Sequence, residues 1–370
     1  MREHVNEIDK QIVALFQERL SLCDDLVNQK MANGLRVQDK EYEKIKIEFL
    51  RSLTDNEFNE EGVTELYHQI MSISRKLQYQ IMAEHGRVGT LPFELLPTIP
   101  KSKSRVVYQG VEGAYSQQAV FEYFGREISN FNVKTWDDAM KAVCGGMADY
   151  AVLPIENSTA GQVGDVLDLL IHYDNYIVGE IYLKIDHVLL GLPGATEAGV
   201  KKVYSHHQGL MQCSEYLNSH PSVEQISMDN TAAAAQFVKE SGDASCAAIA
   251  SEEAGRRYGL EVLNKSVTDL PDNTTRFIVV SSKKIYSESA NKVSVCFETP
   301  HETGSLYRLL SHFIYNNLNM TKIESRPIPG KKWEYRIFVD VEGNLSSADM
   351  KNALRGILEE ALYFKILGNY

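Results

Sequence analysis

Apolar residues recur at helical steps along the first 85 positions, where Val5, Ile8, Ile12, Leu15, Leu22 and Leu26 mark one stripe and no proline interrupts it. That spacing predicts one amphipathic helix of about 30 residues, capped by Gly34. Two further helices are expected over 39–53 and 60–84. Three helices with so long a first member bury little against one another, so the bundle is expected to pair with a second copy. Periodicity then collapses over 86–104, where two glycines, three prolines (Pro92, Pro97, Pro100) and a Lys/Ser cluster read as a linker.

From 105 onward the period changes. Short β-branched runs (Val106-Val107-Tyr108, Tyr150-Ala151-Val152-Leu153, Lys202-Val203-Tyr204, Ala247-Ala248-Ile249) alternate with helical patterns, which predicts α/β architecture over 105–283. The span is long enough for two lobes, with 176–191 as one extended crossing between them and 275–282 as another. After a polar break at 283–291, strands are expected over 293–299, 320–326, 334–341 and 364–367, with helices near 304–317 and 346–362. Over 290–370 this is the βαββαβ order of ferredoxin-like folds.

At 370 residues the chain exceeds one ordinary domain of about 100–200 residues, in line with the several domains expected. Hydrophobic residues at 44% and charged residues at 24% are globular values and allow sizeable cores. A formal net charge of −12 disfavours a nucleic-acid binder, and an anionic small ligand would need locally placed cations. Cys23, Cys144, Cys213, Cys246 and Cys296 are widely spaced with no CxxC pair, which fits a reducing cytoplasm. The N-terminus lacks a secretory apolar core, its acidic residues disfavour a transit peptide, and no apolar run approaches the roughly 18 residues of a membrane span.

The first chemical signal is a flaw in the helical stripe. Its three-four series finds Arg19 where an aliphatic residue is expected, and a guanidinium in a helix seam needs an anionic partner. Arg2, Arg19 and Lys30 are spaced along this helix, while Ser74 and Gln78 lie four apart on the third, beside Ile70, Ile73, Leu77 and Ile81, so polar groups can converge inside the bundle. Each alone reads more readily as a surface residue, with the cations snorkelling to solvent. As a set they resemble, over 1–85, the all-helical class of chorismate mutase. The resemblance implies that Arg2, reaching over from the partner chain, and Arg19 hold the substrate carboxylates. It also implies that Lys30 and Gln78 form the catalytic pair at the ether oxygen, with Asp39, Glu43 and Ser74 around the ring hydroxyl. Tyr42 stands where this family usually has arginine. A unimolecular Claisen rearrangement needs a held conformer and stabilised charge on the breaking C–O bond, and no nucleophile.

In the α/β span, Gly110-Val111-Glu112-Gly113-Ala114-Tyr115-Ser116 follows a strand and opens a helix, which offers backbone N–H groups to an anion. A Gly-x-x-Gly turn is a weak signal by itself. Pro154-Ile155-Glu156-Asn157-Ser158 lies at a strand's carboxyl end, where open α/β sheets bind ligands. Ser205-His206-His207-Gln208 and Asp229-Asn230-Thr231-Ala232-Ala233 are similar junctions, the second equally a plain N-cap. Asp272-Asn273-Thr274-Thr275-Arg276-Phe277 leads into the apolar Ile278-Val279-Val280.

Together these stretches resemble prephenate dehydratase over about 105–282, which implies a two-lobed α/β fold like that of periplasmic binding proteins. By this resemblance Thr275 is the catalytic residue, and Glu156, Asn157, Ser205, Gln208 and Gln212 line its cleft. Gly113, Ser116, Ser158, Thr231, Arg276 and Phe277 complete the expected substrate-binding set, and His207 stands where proline is common. His206 and His207 are not read as a metal pair, because zinc wants three or four well-spaced ligands; no metal and no cofactor is expected. Aromatisation drives the dehydration of prephenate, so a positioned proton donor suffices to assist departure of the hydroxyl. Threonine is a poor acid, so Thr275 is expected to donate a hydrogen bond or relay a proton. Without its flanking motifs it reads equally well as a β-branched strand residue.

In the last segment Gly304-Ser305-Leu306-Tyr307 opens a helix and Glu324-Ser325-Arg326-Pro327 closes the second strand. These resemble the two signatures of an ACT regulatory domain in phenylalanine-sensitive dehydratases, with Tyr307 departing at the last place of the first. The resemblance implies pairing side by side, effector binding by Gly304, Ser305, Leu306, Glu324, Ser325, Arg326 and Pro327, and feedback inhibition by L-phenylalanine. There is no GxGxxG and no Walker A loop, and the zincin-like start His301-Glu302 meets Ser305 where a second histidine belongs. The expected function is a bifunctional enzyme of phenylalanine biosynthesis, a cytoplasmic homodimer or larger assembly that converts chorismate to prephenate and then to phenylpyruvate. The alternative is a non-catalytic two-lobed sensor that grips an amino or organic acid.

Overall fold

The computed structural model describes residues 1–33, 37–85 and 91–370, so Gly34, expected as a helix cap, and the start of the expected linker lie outside the described residues. The chain divides into two units, Met1–Phe93 with Ala290–Ile366, and Glu94–Ser289 with Leu367–Tyr370. No helix among the described residues is long and apolar enough to cross a membrane.

The first unit opens with α1 (Arg2–Ser21), α2 (Cys23–Ala32), α3 (Lys40–Arg51) and α4 (Glu57–Glu84). The single first helix expected from periodicity is thus two helices end to end. They divide at Leu22, whose torsions (φ −79°, ψ −5°) stay in the right-handed region, so the apolar stripe runs through the break and conceals it. None of the side chains of α1 is buried; Val5, Ile8, Ile12 and Leu15 remain exposed. By contrast, α2 turns Cys23 and Val27 inward against Ile81 of α4. Asp39 caps α3 by accepting a hydrogen bond from the Tyr42 amide at 3.0 Å.

The remainder of this unit follows the expected order. Strands Lys292–Glu298, Met320–Pro327 and Tyr335–Glu342 alternate with helices Ser305–Tyr315 and Ala348–Glu360, and strand Tyr363–Asn369, whose residues from Leu367 on belong to the second unit, ends the series. In space the strands run second, third, first, fourth, and the second–third and third–first pairs are antiparallel. The helices bury Leu309, Phe313, Leu354 and Ile357, each stabilising by about 1.5–3 kcal/mol. Both helices also pack against α4.

The second unit holds two mixed sheets. One runs Tyr176–Lys184, Thr274–Ser281, Tyr150–Asn157, Arg105–Gln109, Ser129–Val133; the other runs Glu261–Asn264, His187–Gly191, Cys246–Ser251, Lys202–His206, Glu224–Met228. The expected crossing at 176–191 is present, since its first strand belongs to one sheet and its second to the other. The second expected crossing lies earlier than 275, because Thr274–Ser281 pairs within the first sheet from its first residue. Part of the expected linker is also ordered: Glu94–Leu96 pairs in parallel with Ile285–Ser287.

Candidate active sites

Within the first unit, α1–α4 line a half-open cavity of about 530 Å³. Ser74 and Gln78, one turn apart on α4, share a face directed into it. The last turn of α1 brings Arg19, which donates to Ser74 Oγ, and α2 brings Lys30, which donates to Gln78 Oε1 at 3.1 Å and to the Val37 carbonyl. Gln78 Nε2 in turn donates to the Ser74 carbonyl at 3.2 Å. Asp39, Tyr42 and Glu43 from the start of α3 complete the opposite wall. Burial lowers the pKa of Lys30, an effect that Glu43 and Asp39 partly oppose.

Six of the expected mutase residues thus meet in one place: Arg19, Lys30, Asp39, Glu43, Ser74 and Gln78. Arg2 does not; it sits exposed in the first turn of α1, away from the wall. Two cations absent from the sequence reading, Lys46 and Arg75, also line the cavity, where cations outnumber carboxylates. The signal for Arg75 was its place one turn from Gln78 and next to Ser74, in a run of polar residues among apolar ones on α4.

In the second unit, a cavity of about 400 Å³ takes walls from both sheets. Alternation along Thr274–Ser281 turns Thr275 and Phe277 toward it and Arg276 away. Arg276 Nε donates to Glu180 at 2.8 Å and Nη2 to Tyr370 Oη at 2.8 Å, with Glu156 at 3.8 Å, so this guanidinium braces the back of the strand. Strand register sets Thr275 opposite Asn157, and Asn157 Nδ2 donates to Thr275 Oγ1 at 2.8 Å.

From that contact a hydrogen-bonded chain runs along the cleft. Thr159 Oγ1 donates to Asn157 Oδ1 at 2.7 Å, Gln212 Nε2 donates to Thr159 Oγ1 at 3.0 Å, and Gln212 Oε1 faces His187 Nε2 at 3.1 Å. His187 Nδ1 lies 3.0 Å from Tyr115 Oη. Burial lowers the pKa of His187 and raises that of Tyr115 well above its ordinary value, so each shift favours the neutral form.

Ser116, Gln208, Gln212 and Thr231 also line this cavity. Gly113, Glu156, Ser158 and Ser205, expected in the cleft, are not among its lining residues. Gly113 has φ +85°, and a Cβ there would sit 3.1 Å from Ala254 Cα, so it serves close packing. Ser158 Oγ accepts from the Thr274 amide at 3.0 Å, and Ser205 Oγ donates to the Ile249 carbonyl at 2.6 Å. The sequence reading missed Tyr115, Trp136 and His187 as lining groups. His187 had a signal, the lone polar side chain heading the apolar strand His187–Gly191.

The two motifs of the last segment lie in the first unit. Gly304 has φ +75° at the start of Ser305–Tyr315, Ser305 Oγ donates to the Pro300 carbonyl at 2.6 Å, and Leu306 is exposed. Glu324, Ser325, Arg326 and Pro327 end a strand at the sheet edge, with Ser325 and Pro327 exposed.

A chorismate mutase type II family model matches residues 1–79, and a prephenate dehydratase family model matches 106–285. The chain is 32% identical over all of its length to the bifunctional chorismate mutase/prephenate dehydratase of Neisseria gonorrhoeae, and spans 95% of that protein. The chain belongs to the bifunctional chorismate mutase/prephenate dehydratase family. It is likewise 33% identical to the protein of that description from Escherichia coli K12, again over all of this chain and 95% of that one. Among solved structures, the prephenate dehydratase from Arthrobacter aurescens in complex with L-Phe is similar, with TM-score 0.67 and 28% identity over 72% of this chain and 89% of that one. Within this bifunctional family, each of the two cavities lies inside one of the two model matches, and a non-catalytic sensor is not favoured.

Proposed function

We propose that the α1–α4 cavity rearranges chorismate to prephenate and that the Thr275 cleft converts prephenate to phenylpyruvate. The observation that carries this reading is the separation of chemistries: one cavity rich in cations, the other in neutral hydrogen-bonding groups, each inside the matching family region.

In the first cavity, among the described residues, two of the three N–H groups of Lys30 are used by Gln78 and Val37. The third is available to the ether oxygen, where charge grows as the C–O bond breaks and the new C–C bond forms. One N–H of Gln78 is similarly available. Arg19 meets a carboxylate, and Arg2 of a second copy meets the other. The exposed apolar stripe of α1 supports that pairing, since it finds no cover among the described residues.

In the second cleft, the ring carboxylate leaves as carbon dioxide, its bonding pair enters the ring, and the ring hydroxyl departs with a proton as water. Because Thr275 Oγ1 accepts from Asn157, its own O–H is free to donate to that hydroxyl. Ser116, at a helix start, and Gln208 offer polar groups to the substrate's anionic end.

Residues 1–85, 105–283 and 290–370 then form mutase, dehydratase and ACT regulatory domains around a linker at 86–104. The observed strand order supports a ferredoxin-like ACT assignment, and its exposed edge strand supports side-by-side pairing with L-phenylalanine held by the 304–306 and 324–327 motifs. Five unpaired cysteines support a cytoplasmic setting.

Purified protein given chorismate, with prephenate and phenylpyruvate followed separately by absorbance, tests this reading. Both products should form in sequence, and dehydration should fall at saturating L-phenylalanine. Binding without turnover would restore the sensor; an unchanged rate with L-phenylalanine would remove the regulatory assignment.

A further inference from the structure

We propose that Arg75 is a positioning residue for chorismate rearrangement, fixing the Glu43 carboxylate in the mutase cavity while Glu360 of the C-terminal segment fixes Arg75. Arg75 Nη1 donates to Glu43 at 2.6 Å and Nη2 donates to Glu360 at 2.8 Å. Its side chain is 6% exposed and that of Glu360 8%, so this is a buried fork with a carboxylate on each tine. Arg75 and Glu43 line the mutase cavity and also a second cavity of about 460 Å³, whose other wall includes Glu360, Pro300 and Arg308. Glu360 does not line the mutase cavity, so any influence it has there passes through Arg75.

Packing holds Glu360 in place. His312 Nε2 lies 3.1 Å from the same Glu360 oxygen that meets Arg75. The imidazole is seated over Gly356, one turn before Glu360, where a Cβ would approach His312 Nδ1 to 2.2 Å. Neighbouring turns of α4 are docked too: Lys76 Nζ donates to Ser311 Oγ at 3.0 Å, and Tyr79 Oη donates to Glu359. A residue outside the first 85 therefore sets the pose of a group in the mutase wall. Loss of one partner from a buried fork leaves the guanidinium undercompensated, and it re-pairs by pulling Glu43 from its position.

This inference rests on Glu43 facing substrate, and the test separates the two. The full chain carries Glu360→Gln, Glu43→Gln or both; chorismate rearrangement is measured without L-phenylalanine, and dehydration of added prephenate reports on integrity of the fold. Glu360→Gln should raise KM for chorismate about three- to tenfold with kcat within about twofold, and should add less than about twofold in the Glu43→Gln background. Arg75→Lys should recover part of the affinity that Arg75→Met loses. If Glu360→Gln disturbs folding, Glu360→Asp keeps the charge, retracts it by one methylene, and should raise KM in the same way. An unchanged KM, or equal effects of the glutamate change in both backgrounds, overturns the positioning role. An unchanged KM in Glu43→Gln itself overturns the substrate-facing reading, and this inference with it.

Discussion

The mutase cavity is walled by long charged side chains carried on helices, the dehydratase cleft mainly by uncharged polar and aromatic ones at strand ends and helix starts. Lysine and arginine each carry about 2 kcal/mol of rotamer entropy, so a site made from them needs a device to hold every head group. Such devices are present: Ser74 on Arg19, Gln78 and the Val37 carbonyl on Lys30, two carboxylates on Arg75. Thr275 and Asn157 need less, because strand register already places them opposite one another. One site is ordered by side-chain pairing and the other mainly by backbone geometry, so substitutions at their edges should act differently.

The largest effect is expected from Thr275→Ala. Phenylpyruvate formation should fall by about 10²–10⁴, the span of a lost proton donor, with chorismate rearrangement within about twofold. Equal loss of both reactions would mean the sites are not separate.

Lys30→Ala should do the reverse, lowering rearrangement by about 10²–10³ while dehydration of supplied prephenate persists. Its pH profile sharpens the point. Burial lowers the pKa of Lys30, so the catalytic ammonium is lost as pH rises through a value below that of a free lysine. Rearrangement should therefore show an alkaline limb that Lys30→Arg moves to higher pH; a limb unaffected by that change would assign it elsewhere.

Gln212→Leu breaks the chain between His187 and Thr159 while leaving the Asn157–Thr275 contact in place. Dehydration should fall about tenfold, chiefly through looser positioning, and steady-state kinetics with prephenate will measure it. A loss as large as that of Thr275→Ala would make the chain, rather than Thr275, the centre of the chemistry.

The smallest effect concerns stability. Lys76 is pushed down to about 7 by burial, although Glu360 pulls the other way. The folded state thus binds its proton less readily than the unfolded state, so the destabilisation is full below pH 7 and shrinks toward pH 10. Lys76→Met should raise the unfolding midpoint by a few degrees at pH 6, and by less at pH 9, in thermal melts. A gain independent of pH would show that the ammonium is hydrated.

Much of both sites was legible because the chemistry interrupts a periodic pattern. Arg19 breaks an apolar series, and the Thr-Arg-Phe triplet sits at the start of an apolar strand. The same triplet shows the limit: its three residues are contiguous, but alternation sends Arg276 to the opposite face, toward Glu180 and Tyr370. Leu22 was invisible as a break because its torsions barely leave the helix. His187 was passed over because one polar residue heading an apolar strand carries no period of its own.

The chain alone determined where helical period gives way to alternation, and which short motifs mark the two chemistries, because those properties are local. Tertiary structure decided which groups meet. Asn157 reaches Thr275 across 118 positions, and Arg75 reaches Glu360 across 285. Contacts of that range arise only when strand register and helix packing bring distant segments within the few ångströms over which a hydrogen bond or buried ion pair has strength.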